Sequence, residues 1–204
     1  MGSEICIRDR VHIEQSARLD NAVTDRVGVV TGIRGLIRHR TIQAIGETAH
    51  AGAVDFPYRK DAALACARFS SRLYDFWQHE LSLGRDLVAT TGVIRTSPSA
   101  SMNKIAGECI VSLDARSLSA AELNLFEKKV EAILQETAEE TGVIFKTDPL
   151  MRIAPVEADE GVMKKLETSA DTVRCRARCY EFCGGRRSLC DALCCQSVWL
   201  SQSE

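Results

Sequence analysis

The sequence predicts an α+β fold, a four-stranded antiparallel sheet with two helices on one face. Three observations carry this. Apolar side chains recur at helical spacing in two stretches, residues 61–83 and 119–141. The segments between and around them alternate apolar and polar residues, as half-buried strands do. The resulting order, β-β-α-β-β-α-β, closes into one sheet without repeats or low-complexity linkers.

Residues 5–13 alternate as a strand and break into the polar run Ser16-Ala17-Arg18. Residues 26–35 hold Val27-Gly28-Val29-Val30-Thr31-Gly32-Ile33, β-branched and punctuated by glycine, and predict a strand. Gly35-Leu36 makes a turn into a second strand over 37–45. Cys66, Phe69, Leu73, Phe76 and Trp77 form the stripe of the first helix, which Gly84 ends. Strands follow over 87–94 and 105–113, separated by a Ser/Pro loop at 96–101. Ser119-Ala120-Ala121-Glu122 is a capping box, and Leu123, Phe126, Val130, Ile133 and Thr137 are the buried face of the helix it starts. Gly142 stands at the C′ position of that helix. A last strand begins at Val143 to Phe145 and leads through Pro149 to Pro155, and a further helix starts near Glu160.

At 204 residues and a net charge of −2, the chain can bury one good core or two small ones. No Lys/Arg block gives a reason to expect nucleic acid or an anionic membrane as partner. No run of about 18 apolar residues predicts a membrane span, and no basic segment followed by an apolar core predicts a signal peptide. The expected location is cytoplasmic. Of nine cysteines, Cys6, Cys66 and Cys109 are scattered and read as small buried hydrophobes. The other six, Cys175, Cys179, Cys183, Cys190, Cys194 and Cys195, crowd into the last thirty residues.

Four stations carry chemistry. His12-Ile13-Glu14-Gln15 delivers an imidazole, an acid and an amide to a strand end, where imidazole is the commonest zinc ligand. It also reads as a strand-end histidine bonded to backbone. Gly46-Glu47-Thr48-Ala49-His50-Ala51-Gly52 places His50 beside small residues that leave room for something to approach; it also reads as a polar loop. Asn103-Lys104-Ile105-Ala106-Gly107 and Ser112-Leu113-Asp114-Ala115-Arg116 place Asn103 and Arg116 thirteen residues apart across a strand. An amide with a guanidinium fork is the chemistry that holds a carboxylate bidentately. The alternative is a structural ion pair of Arg116 with Asp114. His39 and His79 read as exposed polar residues.

In order and separation these stations resemble the zinc-dependent N-carbamoyl-L-amino-acid hydrolases, with allantoate amidohydrolases and β-ureidopropionases as close relatives. The resemblance covers about residues 5–170. It implies an amidohydrolase that cleaves the carbamoyl C–N bond of N-carbamoyl-L-amino acids or allantoate-like ureido acids, with two divalent metals, zinc or manganese, per site. It implies that His12 binds metal, that His50 reaches into a neighbouring subunit's site to stabilise the oxyanion, and that Gln15, Asn103 and Arg116 hold substrate. Residues 24–150 would be the lid, through which a homodimer forms. Residues 1–23 and 151–173 would be remnants of the α/β zinc-hydrolase domain into which the lid is inserted. Three departures stand out: Ser16 where the family has glycine, Ala106 where it has proline, and Leu36-Ile37-Arg38 where many relatives place a substrate-contacting glutamine.

A two-metal hydrolase needs about five protein ligands and a carboxylate base. The family supplies a histidine, a bridging aspartate and a glutamate pair upstream of the position of His12, and this sequence has eleven residues there. The expectation is an internal fragment that is inactive by itself. Residues 174–204 are expected to be an out-of-frame, unstructured tail; the competing reading is a small zinc module. A non-catalytic dimerisation module is the alternative function.

Overall fold

The computed structural model describes residues 8–13, 28–167 and 196–201, the first and last of these stretches by their backbone. The chain divides into two compact units, one of residues Arg34–Pro155, the other of Met1–Ile33 with Val156–Glu204. In chain order the strands are β1 (Arg8–Ile13), β2 (Gly32–Ile33), β3 (Gly35–Ile45) and β4 (Ala49–His50). A 3₁₀ turn (Phe56–Tyr58) and α1 (Ala62–Ser82) follow, then β5 (Val88–Thr90), β6 (Ile94–Thr96), β7 (Lys104–Ile105) and β8 (Glu108–Ser117). After α2 (Ala120–Thr141) come β9 (Ile144–Thr147), β10 (Met151–Ile153), β11 (Val156–Glu157) and β12 (Gln196–Ser201).

The Arg34–Pro155 unit is built on an antiparallel sheet of order β10-β3-β8-β5, with β9 also pairing with β3 and β6 with β8. The sheet therefore has six strands rather than the expected four, because each edge position is shared by two short strands. At one edge Thr91-Gly92-Val93 separates β5 from β6, and at the other Asp148-Pro149-Leu150 separates β9 from β10. The strand expected over 26–35 is not part of this sheet: Gly32–Ile33 pairs instead with Val156–Glu157 in the flanking unit. Two glycines in that run weaken it as a central strand.

Alternation on β8 fixes the two faces. Cys109, Val111, Leu113, Ala115 and Ser117 are buried, while Glu108, Ile110, Ser112, Asp114 and Arg116 take the other side. On β3 the register shifts between His39 and Ile42, a bulge that resets parity so that Ile37 and Ile42 are both buried. Phe69 and Leu73 of α1 and Leu123, Phe126 and Ile133 of α2 close the core over that face. Arg68 and Arg72 of α1 both pair with Glu140 of α2, at 2.6 and 2.5 Å.

The helix ends form as their sequences require. Asp61 accepts the N–H groups of Ala63 and Leu64 at 3.0 and 3.2 Å, capping α1. Ser119 accepts the N–H of Glu122 at 3.3 Å, but the return arm of the capping box is relayed: Glu122 accepts from the Ser117 hydroxyl, which itself accepts the N–H of Ser119. Gly142 ends α2 at φ 65°, in the left-handed region.

In the flanking unit, β1 pairs antiparallel with β12, from Arg8 opposite Ser201 to Ile13 opposite Gln196. Within the stretch expected to be an unstructured tail, residues 196–201 form β12. The tail cysteines lie outside the described residues. Residues 160–167 are helical, with Asp159 accepting the N–H of Val162 at 2.9 Å. Among the described residues no helix is long and apolar enough to cross a membrane.

Candidate functional site

His50 is held on a short extension of the β3/β8 ladder. Beyond the Ile45–Glu108 pair, Gly46 N–H donates to the Gly107 carbonyl at 2.8 Å, β4 pairs with β7, and Ala51 N–H donates to the Asn103 carbonyl at 2.9 Å. Both glycines are required by close approach. A Cβ on Gly46 would lie 2.0 Å from the Lys60 carbonyl oxygen, and one on Gly107 would lie 2.7 Å from the Thr48 nitrogen. The two glycine-bearing stations therefore meet, and they bring His50 beside Asn103.

His50 is exposed, and its Nδ1 accepts the N–H of Gly52 at 3.1 Å. With Nδ1 an acceptor, the neutral ring carries its proton on Nε2, which makes Nε2–H an outward donor. Arg59 braces the loop that follows, donating to the carbonyls of Val54 (2.8 Å) and Ala51. Asn103 has its amide oriented in the same manner: Oδ1 accepts from Ser101 Oγ at 2.7 Å, so its NH₂ is directed outward.

Arg116 lies elsewhere. It stands eight residues along β8 from Glu108, a rise of about 26 Å, and the β4/β7 extension carries Asn103 farther away still. The expected pairing of Asn103 with Arg116 around one carboxylate is therefore not formed within one chain. The neighbours of Arg116 are Asp114 and Arg38. Asp114 Oδ1 accepts from Arg116 Nε at 2.7 Å, and Oδ2 accepts from Arg38 Nε at 2.7 Å and from Arg38 Nη2. Burial pulls the Asp114 carboxyl upward, but the hydrogen bonds from Arg116 and Arg38 outweigh it and hold the group below its ordinary value.

The backbone of His12 lies in β1, opposite Ser197; its side chain and Gln15 lie outside the described residues. Among the described residues no group of three or more His, Cys, Asp or Glu can hold a metal ion. These residues do not fit the two-metal centre that the resemblance implies, and the chemistry they offer is hydrogen-bond donation and carboxylate binding.

His39 is not the exposed residue its sequence position suggests. Only 13% of its side chain is exposed, and Nδ1 lies 3.1 Å from Asp148 Oδ1. By strand alternation it shares the face of Ile37, opposite Leu113, and lines a cavity of about 240 Å³ with Leu113, Val130, Leu134, Leu150, Glu127 and Glu131. The role of Arg38 was missed as well.

Ureidoglycolate hydrolase of Arabidopsis thaliana is 31% identical over 166 residues, covering 78% of this chain and 33% of that protein. Allantoate amidohydrolase of Bacillus subtilis is 31% identical over 150 residues, covering 74% and 35%. Among solved structures, a hydantoinase/carbamoylase family amidase from Burkholderia ambifaria matches with a TM-score of 0.70 at 28% identity, covering 78% of this chain and 38% of that one. The chain spans about a third of the length of the curated relatives it matches. No protein-family model matches the chain. Over the matched stretch, sequence and fold agree, and the chain belongs to the amidohydrolase family that holds the allantoate amidohydrolases, ureidoglycolate hydrolases and N-carbamoyl-L-amino-acid amidohydrolases.

Proposed function

We propose that this chain supplies the lid and the substrate-holding residues of an amidohydrolase acting on N-carbamoyl-L-amino acids or allantoate-like ureido acids. One water is consumed, the carbamoyl C–N bond breaks, and carbon dioxide, ammonia and the free amine leave. The observation that carries this reading is the placing of two complementary stations at opposite ends of β8. Among the described residues the terminal guanidinium nitrogens of Arg116 have no partner, which suits them to a carboxylate. His50 offers an Nε2–H donor, suited to the carbonyl oxygen as negative charge develops on it.

A carbamoyl amino acid spans only a few ångströms from its carboxylate to its carbamoyl carbon. It cannot touch both stations of one copy, which lie beyond the roughly 26 Å that separates Arg116 from Glu108 along β8. The geometry therefore favours a symmetric dimer in which one copy gives Arg116 and the other gives His50 and Asn103. His12 as a metal ligand and Gln15 as a substrate contact belong to the same proposal and rest on the resemblance. Zinc or manganese bound in the whole protein would supply the activated water. Among the described residues no group of three or more His, Cys, Asp or Glu could hold it on its own.

The test is a graft. Residues 34–155 replace the matching stretch of the Bacillus subtilis allantoate amidohydrolase, and ammonia release from allantoate and N-carbamoyl-L-amino acids is measured. The chimera is expected to hydrolyse at least one of them and to lose that activity on His50→Ala or Arg116→Gln. A folded, metal-loaded chimera that releases no ammonia from any of them would sink the reading.

The second reading is a non-catalytic dimerisation module. It is favoured by the self-contained core of the Arg34–Pro155 unit. Binding of a ureido acid to the dimer separates the two: a dimer that binds none supports the second.

A further inference from the structure

We propose that Arg38 and Asp114 are positioning residues that aim Arg116 at the substrate carboxylate; this rests on the reading of Arg116 given above. The register places Arg38 opposite Asp114, and Leu36 and Val88 on either side of Arg116, all on the sheet face away from the helices. An Asp and an Arg two apart on a strand would ordinarily form a loose surface pair of little consequence. Here the aspartate is fixed from the other side. Oδ2 takes both Nε and Nη2 of Arg38, a two-point grip that leaves Oδ1 to accept Nε of Arg116 at 2.7 Å.

Two consequences follow for Arg116. Its Nε edge is consumed, so the Nη1–Nη2 edge is the one presented outward, and among the described residues neither Nη has a partner. That edge matches the two oxygens of a carboxylate. Exposure agrees with the direction of the relay: Asp114 is 23% exposed, Arg38 34% and Arg116 49%. The three side chains sum to one positive charge, which suits a single monoanionic carboxylate and not the neutral ureido end.

The experiment uses the full chain with arginine side chains labelled with ¹⁵N, titrated with hydantoate (N-carbamoylglycine). The Arg116 Nε–H signal is expected to shift saturably. Arg38→Gln and Asp114→Asn, each checked for a native amide spectrum, are expected to weaken binding about tenfold, the scale of a charge-assisted hydrogen bond. Without ligand they should also speed exchange of the Arg116 Nε proton with water. Arg38→Lys keeps the charge but loses the two-point grip, so it should weaken binding as much as Arg38→Gln. In an Arg116→Gln background, Arg38→Gln should add nothing, because there is no fork left to aim.

Native affinity in Arg38→Lys would overturn the relay, since charge alone would then be enough. So would an Arg38→Gln effect that persists without Arg116. No hydantoate shift at Arg116 at all would overturn the carboxylate reading of Arg116 and the relay with it. Saturable binding at Arg116 that neither Asp114→Asn nor Arg38→Gln alters would overturn the relay alone.

Discussion

The Nδ1 of His50 accepts the backbone N–H of Gly52, two residues on, at 3.1 Å. This bond decides which nitrogen of the neutral ring carries the proton, and so whether His50 can donate toward a substrate carbonyl. In ¹⁵N spectra at high pH, His50 is expected to be mainly the Nε2–H form. Gly52→Pro removes the donor and should erase that preference. Gly52→Ala keeps the N–H, and its Cβ would lie 3.4 Å from the ring, so the preference should survive. An Nδ1–H majority in the native protein would rule out the oxyanion role as described.

The helices were legible because their signals are local. The stripe from Cys66 to Trp77, the Ser119 cap and Gly142 each depend on residues within one or two turns, and the structure follows them. The sheet was legible only by halves. Nothing local says that Val29 and Val30 stay out of the main sheet, or that the stretch 87–94 breaks at Gly92, because both depend on which neighbour supplies the ladder bonds. The candidate site divides in the same way. His50 and Asn103 were recognisable as motif residues, and the glycines of their motifs are explained by close approach. Their separation from Arg116 was hidden, since sequence distance across a strand does not say which way the flanking loop continues. Arg38 and Asp148 were hidden for a related reason: each acts on a partner 76 or 109 residues away.

Core packing gives a direct measure of how the Arg34–Pro155 unit is held. Phe126 is fully buried against Phe76, with ring centroids 5.9 Å apart. Phe126→Ala should cost about 3–5 kcal/mol in urea denaturation, from lost transfer energy and the cavity left behind. Ser119→Ala removes only a cap and should cost about 1 kcal/mol. Equal costs for the two would mean that α2 is not docked by its apolar face.

Acid stability should follow two aspartates. Burial raises the Asp114 carboxyl, but hydrogen bonds from Arg116 and Arg38 bring it below its ordinary 3.8. At Asp148 burial is likewise outweighed, by the Thr41 N–H, His39 and the Arg40 N–H. Groups lowered in the folded state contribute stability that is fully present above their unfolded value and is lost as pH falls through the folded one. The urea midpoint should therefore hold down to about pH 4, the ordinary aspartate range, and fall below it. The Asp114→Asn, Asp148→Asn double variant should show a shallower fall. An unchanged slope in that variant would show that these carboxylates do not carry the effect.

Cys66 and Cys109 meet between α1 and β8, and both are almost wholly buried. The hydrogen bond with Cys109, and then burial, push the Cys66 thiol well above the ordinary thiol range. A thiol reacts through its thiolate, so Cys66 should resist alkylation in the folded protein. Site-resolved mass spectrometry after iodoacetamide at pH 8 is expected to find Cys66 and Cys109 unlabelled until the unit unfolds in urea. Native-state labelling of Cys66 at the rate of a free thiol would show that the α1/β8 interface opens on its own.

The separation of Arg116 from His50 and Asn103 along β8 makes the sharpest prediction, because it can be read by mixing two dead proteins. In the graft described above, Arg116→Gln and His50→Ala should each be inactive as homodimers, since both sites of each lack one group. In a mixed dimer the two defects fall together in one site, and the other site has Arg116 from one copy and His50 from the other. Random exchange of subunits makes half of the dimers mixed, each with one of two sites intact. Activity should therefore return to about a quarter of that of the unmutated graft, as two-fold symmetry requires. If the two groups instead served one substrate from the same copy, every site in the mixture would lack one of them. Mixing would then restore nothing, and the shared-site reading would fall with it.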